Sequence, residues 1–124
     1  RDMRSGNGRL VSEVSGIYEG HWKRDLRHNQ GRQAYKNGAT YIGGWSRGRK
    51  TGHGVQKWPN GDKYTGFWMD DLYNGRGLLN ISGHTYMGEW LTGSREGLFV
   101  ETQSSGKTLT GTWRNDARHG IFKD

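Results

Sequence analysis

Tryptophan recurs in this chain at a fixed interval, and that interval limits the possible folds more than any other feature. Trp22, Trp45, Trp68, Trp90 and Trp113 are spaced 23, 23, 22 and 23 residues apart. Two residues before each stands a glycine: Gly20, Gly43, Gly66, Gly88 and Gly111. Two before that come Tyr18, Tyr41, Tyr64 and Tyr86, with Leu109 in the last copy. Seven residues after the tryptophan fall Gly52, Gly75, Gly97 and Gly120, and nine after it Gly31, Gly54 and Gly77. Gly38, Gly61, Gly83 and Gly106 lie three before the next Tyr or Leu, and Gly6 and Gly8 keep the same frame ahead of Tyr18. Self-similarity at a period of about 20–50 residues marks a stacked array of repeats.

A unit of this length holds two short strands and two turns, one β-hairpin with its connection. The units run at about 18–40, 41–63, 64–85, 86–108 and 109–124, with a partial unit over 1–17. Tyr, Gly and Trp at alternate positions of the first strand face one side. The second strand opens at the Gly-x-Gly pair, and turns such as Asn37-Gly38 and Asn60-Gly61 lead into the next unit. The expected architecture is therefore all-β: an elongated, twisted antiparallel array, with ten strands at about 4.8 Å spacing making a slab about 50 Å long. Only 30% of the 124 residues are hydrophobic, too few for one large core. Six Trp, six Tyr and three Phe must supply the packing instead. Glycine is costly inside strands, so its regular use implies rings lying flat on glycine backbone where a Cβ would collide. Tyr18, Gly20, Trp22, Tyr41, Gly43, Trp45, Tyr64, Gly66, Trp68, Tyr86, Gly88, Trp90, Gly111 and Trp113 are accordingly read as structural.

This pattern resembles the MORN repeat (membrane occupation and recognition nexus) over residues 6–122. Asn29 departs from it at the first glycine of a pair, Phe99 and Phe122 at the second, and the third unit is one residue short before Tyr86. The resemblance implies an array of hairpins that serves as a non-catalytic module. Arrays of this kind occur in junctophilins, plant phosphatidylinositol phosphate kinases, radial spoke heads and cytoskeletal scaffolds. The chain starts and stops inside a unit, so it reads as a piece of a longer protein.

Catalytic chemistry finds no foothold in the sequence. Cysteine is absent, and His21, His28, His53, His84 and His119 keep no metal-ligand spacing. Asp70 and Asp71 are adjacent, and neighbours on an extended chain point apart, which suits a general acid–base pair poorly. Gly52-His53-Gly54 and Gly75-Arg76-Gly77 lack the rest of a phosphate loop. The sequence thus implies no catalytic, metal or cofactor site and no cofactor.

Charge is the more informative signal. The net charge is +7, and all of it resides in residues 1–62. Lys23, Arg24 and Arg27 follow Trp22, and Arg47, Arg49 and Lys50 follow Trp45 at the same phase. These six residues read either as a strip for an anionic partner or as a solvated edge that blocks sheet association. Four aromatics outside the recurring Tyr–Trp positions, Tyr35, Trp58, Phe67 and Tyr73, are the candidates for binding a protein, with Trp58 beside Pro59 foremost. Nucleic acid is disfavoured, because most rings are committed to the repeat and are not free to stack bases.

The expected function is docking: a segment of another protein lies along the array in a cytoskeletal (including ciliary) or membrane-proximal assembly. Peripheral binding of anionic phospholipid through the basic edge is the alternative, and a regulatory or targeting region of a larger enzyme, such as a lipid kinase or methyltransferase, is the third. A second copy of the chain is a further partner to consider. The expected location is cytoplasmic, at the cytoskeleton or peripheral to a membrane.

Overall fold

The computed structural model describes residues 4–124, so the first three residues of the opening partial unit lie outside it. Eleven strands form one antiparallel sheet in strict chain order, open at both ends. β1 (Gly6–Ser12) belongs to the partial unit. The five full units supply the pairs β2 (Gly16–Lys23) and β3 (Leu26–Ala34), β4 (Thr40–Ser46) and β5 (Arg49–Lys57), β6 (Lys63–Met69) and β7 (Leu72–Ile81), β8 (His84–Leu91) and β9 (Ser94–Thr102), and β10 (Thr108–Arg114) and β11 (Ala117–Lys123). The expectation of ten strands falls short by one. The partial unit makes a complete strand of its own, with Gly8 opposite Gly20.

The turns explain this regularity. Each hairpin within a unit closes on two residues that both have positive φ: Arg24 and Asp25, Arg47 and Gly48, Asp70 and Asp71, Thr92 and Gly93, and Asn115 and Asp116. Two left-handed residues make the turn whose twist matches that of paired strands. On the opposite edge the connections are longer, except at Ser82-Gly83, which joins Ile81 directly to its partner His84. That shorter turn accounts for the third unit's missing residue, and the strand register survives it.

Two kinds of glycine emerge, where the sequence suggested one. A Cβ on Gly66 would stand 2.4 Å from the Gly77 Cα, and one on Gly77 would stand 2.1 Å from the Tyr64 hydroxyl. The same collisions recur at Gly43 with Gly54 and at Gly20 with Gly31. These glycines are needed for space. The first glycine of the pair is different: a Cβ on Gly6 or Gly52 would meet nothing within 4 Å, nor would one on Gly97 at the same phase, yet φ is 79°, 71° and 84°. Left-handed backbone is what that position requires, and Asn29, at φ 57°, meets the same demand.

One face of the sheet is buried and the other is not. Along β4, Tyr41, Gly43 and Trp45 are buried whereas Ile42 and Ser46 are exposed. On the buried, aromatic face the rings meet edge to face: Tyr18 with Trp45 at 5.5 Å, Tyr41 with Trp68 at 5.3 Å, Tyr64 with Trp90 at 5.9 Å. Each tyrosine thus touches the tryptophan of the following unit, a geometry that aromatic pairs prefer. Polar ends are satisfied in the same rhythm from Trp45 onward, whereas the buried Trp22 Nε1 finds no partner among the described residues. Tyr41 Oη donates to the Gly44 carbonyl at 3.0 Å, and Trp68 Nε1 donates to that of Gly54 at 3.2 Å.

The ladder changes hands in the fourth unit. Tyr18, Tyr41 and Tyr64 are fully buried, but Tyr86 is only half-buried, contrary to its expected place in the core. Phe99 is the reason: it occupies the second-glycine position, is itself fully buried, and packs its ring where a Cβ on Gly88 would go. Tyr86 is displaced onto His84, 4.6 Å away. Phe122 plays the part of Phe99 over Gly111 in the last unit, where Leu109 replaces tyrosine. A ring on either strand fills the trough, so these two departures from the pattern compensate for each other.

Candidate docking surface

A further register becomes visible on the aromatic face. Five residues after each tryptophan, and directly opposite it across the hairpin, stand Arg27, Lys50, Tyr73, Arg95 and Arg118. Arg4 holds the same phase in the partial unit. The cations lie over the rings. Arg4 Cζ is 4.5 Å from the Trp22 ring, and Arg27 Cζ is 4.9 Å from Tyr18. Lys50 Nζ is 5.3 Å from Tyr35, 5.4 Å from Tyr41 and 5.1 Å from Trp68. Arg95 Cζ is 3.8 Å from Trp113, and Arg118 Cζ is 4.8 Å from Phe122. The negative ring face attracts a cation at these distances. Burial lowers the pKa of Arg27 and also that of Lys50, the latter opposed by the charge of Asp71.

The third unit has no cation here. Tyr73 stacks on Tyr64 instead, with centroids 3.9 Å apart and planes 7° from parallel. Burial pushes its hydroxyl up to about 12. Two hollows adjoin at Tyr73 and Trp58. One, of about 430 Å³, is lined by Trp58, Pro59, Asn60, Asp62, Tyr73, Leu79 and Ile81. The other, of about 340 Å³, reaches Lys50, Gln56, Trp68 and Asp71. Leu79 takes the place of Gln33 and Gln56, the residues opposite tyrosine in the first two units, so this stretch of the face is the most apolar.

The aromatic protein-binding candidates therefore divide. Tyr35, Trp58 and Tyr73 share the aromatic face and pack against its core. Phe67 lies on the reverse face, 45% exposed and 5.4 Å from His53. There it borders a row in cross-strand register: Ile42, Val55, Thr65, Leu78, Met87 and Val100.

The six basic residues divide in the same way. Lys23, Arg24 and Arg47 line a hollow of about 400 Å³ with Leu26, His28 and Ser46, and Arg49 lines the next one with Arg47 and Asp70. Arg27 and Lys50 are turned to the other face and engaged with rings, because strand alternation separates them from Lys23 and Arg49. The acidic turn has a structural use of its own: Asp71 accepts a hydrogen bond from the Lys50 backbone N–H at 2.7 Å, as Asp25 does from Arg4 and Asp116 from Arg95.

The sequence reading passed over Arg95, Arg118, Asp62, Leu79 and Ile81. Their signal was present as phase: Arg95 and Arg118 recur at the interval of Arg27 and Lys50, and Ile81 occupies the phase of Tyr35 and Trp58. Among the described residues no group of three or more His, Asp or Glu side chains is placed to hold a metal ion, and no helix is long and apolar enough to cross a membrane.

Comparison with known families places this geometry. The family model for the MORN repeat matches residues 18–40, 41–63, 64–80 and 110–121, more than half of the chain. The unmatched stretch between the last two includes the short turn at Ser82-Gly83 and the exchange of Tyr86 for Phe99. A search among curated proteins finds no match. With eleven antiparallel strands in hairpin repeats and a tyrosine–tryptophan ladder over glycine, the chain belongs to the MORN-repeat family, whose arrays are protein- or membrane-interaction modules.

Proposed function

We propose that the chain is a non-catalytic docking module that holds a segment of another protein along its aromatic face, within a cytoskeletal or membrane-proximal assembly. The observation that carries this reading is the pair of adjoining hollows around Trp58 and Tyr73, set over the ring ladder in mid-array. Buried aromatic anchors in desolvated hollows are the usual centres of binding energy. A repeat array also offers a long, continuous surface on which an extended or helical segment meets several units at once.

The reverse face supports a second reading, peripheral attachment to anionic phospholipid. Lys23, Arg24, Arg47 and Arg49 converge there at one long edge. Each cation near an anionic surface adds about 1 kcal/mol, and the sum fades with salt. Leu26 is exposed beside them and gives that edge an aliphatic contact, whereas the hollows at Trp58 and Tyr73 offer aromatic anchors, so the protein reading ranks first.

Two variants separate the readings. Trp58→Ala should weaken capture of a protein partner and leave vesicle sedimentation unchanged. The triple change Lys23→Gln, Arg24→Asn, Arg47→Asn should do the reverse, with Asn chosen for the left-handed turn positions. Sedimentation with phosphatidylserine vesicles that persists at physiological salt and disappears in the triple variant would promote the lipid reading.

A further inference from the structure

At one position of the repeat, Arg4, Arg27, Lys50, Tyr73, Arg95 and Arg118 follow one another along the array. Five are cations held over rings of the chain itself, and the sixth is a tyrosine. We propose that the third unit receives its cation from the partner: a lysine or arginine side chain of the docked segment enters between Trp58 and Tyr73 and points at the carboxylate of Asp62. This inference rests on the docking reading above and names the side chain that docks.

Tyr73 does not close the place that it occupies. Stacked flat on Tyr64, it keeps one ring face against the core and turns the other toward the hollow that it shares with Trp58. The walls of that hollow include Pro59, Leu79 and Ile81, and its only charged residue is Asp62. The Asp62 carboxylate accepts from the Ser82 backbone N–H at 2.9 Å and from Asn60 Nδ2 at 3.1 Å. No cation pairs with it among the described residues. A carboxylate has about four acceptor sites, so capacity remains for an incoming N–H.

Lysine and arginine fit this combination better than other side chains. Each has an apolar stem for Leu79 and Ile81 and a charged head for ring faces and carboxylate. A purely aliphatic anchor would fill the hollow and cover Asp62 with nothing in exchange. An acidic one would face it directly.

The test uses random linear peptides displayed on phage and selected against the intact chain. Binding of the synthesised winners is followed by fluorescence anisotropy and located through the Trp58 indole N–H signal. Winners should share a lysine or arginine, and replacing it by norleucine or citrulline should weaken binding about tenfold, the scale of a desolvated cation–π contact. Asp62→Asn should weaken the cationic peptide similarly while leaving the norleucine peptide unaffected. Tyr73→Arg, which restores the unit's own cation, should leave the sheet intact and remove binding. If Tyr73→Arg fails to fold, the Asp62→Asn comparison still decides. Peptides that move the Trp58 signal but bind equally well with norleucine overturn the cation and leave docking on this face standing. Enrichment of no peptide, or only of peptides that leave Trp58 unmoved, overturns the docking reading and the cation with it.

Discussion

At the scale of single residues, the fold depends on matched pairs of a ring and a missing side chain. Tyr64 can lie over β7 because Gly77 has no Cβ, and Gly66 can approach Gly77 because neither has one. Losing the ring and adding the side chain should therefore damage the sheet alike. Trp68→Ala empties a site with aromatic neighbours in its own and the adjacent units, and should cost about 3–5 kcal/mol. Gly66→Val keeps strand propensity but drives a Cβ into the Gly77 backbone, and should cost as much. Both are read from the midpoint of thermal or urea unfolding. A stable Gly66→Val variant would mean that the strands have room the structure denies them.

At the scale of the element, much was legible in advance and some was not. The hairpins could be read because turn, strand and ring chemistry all repeat at one period. The first glycine in Gly-x-Gly answers a demand for positive φ and the second a demand for space, and spacing alone does not distinguish the two. Asn29 carried the hint, being a non-glycine residue that tolerates left-handed backbone. Tyr86 packs against the core without entering it, and its own sequence context is unchanged from that of the buried tyrosines. What displaces it is Phe99, thirteen residues later on the neighbouring strand. The division of Lys23 and Arg49 from Arg27 and Lys50 follows from strand alternation, but only once the turn is known to be two residues long. The buried tyrosines give these elements a testable signature in alkali. Burial raises Tyr35 and Tyr73 to about 12 and raises Tyr41 and Tyr64 as well, all from an ordinary value of 10.0. Their contribution to stability is complete below pH 10 and is lost as pH rises toward the folded-state values, because the unfolded chain ionises first. Lys50 and Arg27, lowered by burial, act in the opposite sense but are two groups against five, since burial raises Tyr18 too. Phenolate absorbance should accordingly lag that of free tyrosine and then rise together with unfolding. Titration of all six tyrosines near pH 10 in a folded sheet would contradict the burial.

At the scale of the whole molecule, the sheet is one layer thick and its two faces offer different chemistry. The aromatic face is a core that the chain covers with its own cations in every unit but the third. The reverse face presents the row from Ile42 to Val100 and the basic edge. A MORN array that docks a protein by its aromatic face and one that docks by the reverse face would share every strand and turn, so the face engaged is the central question. Trp58, just past the end of β5, and Phe67 on β6 sample the two sides of the same region. The most direct measurement replaces each in turn by a photoreactive benzoylphenylalanine, illuminates the chain in an extract of the cells that make it, and sequences what is attached. The structure predicts attachment of one protein segment from position 58, containing a lysine or arginine near the linked residue, and none of that segment from position 67. Attachment of the segment from position 67 and not from position 58 would contradict the account.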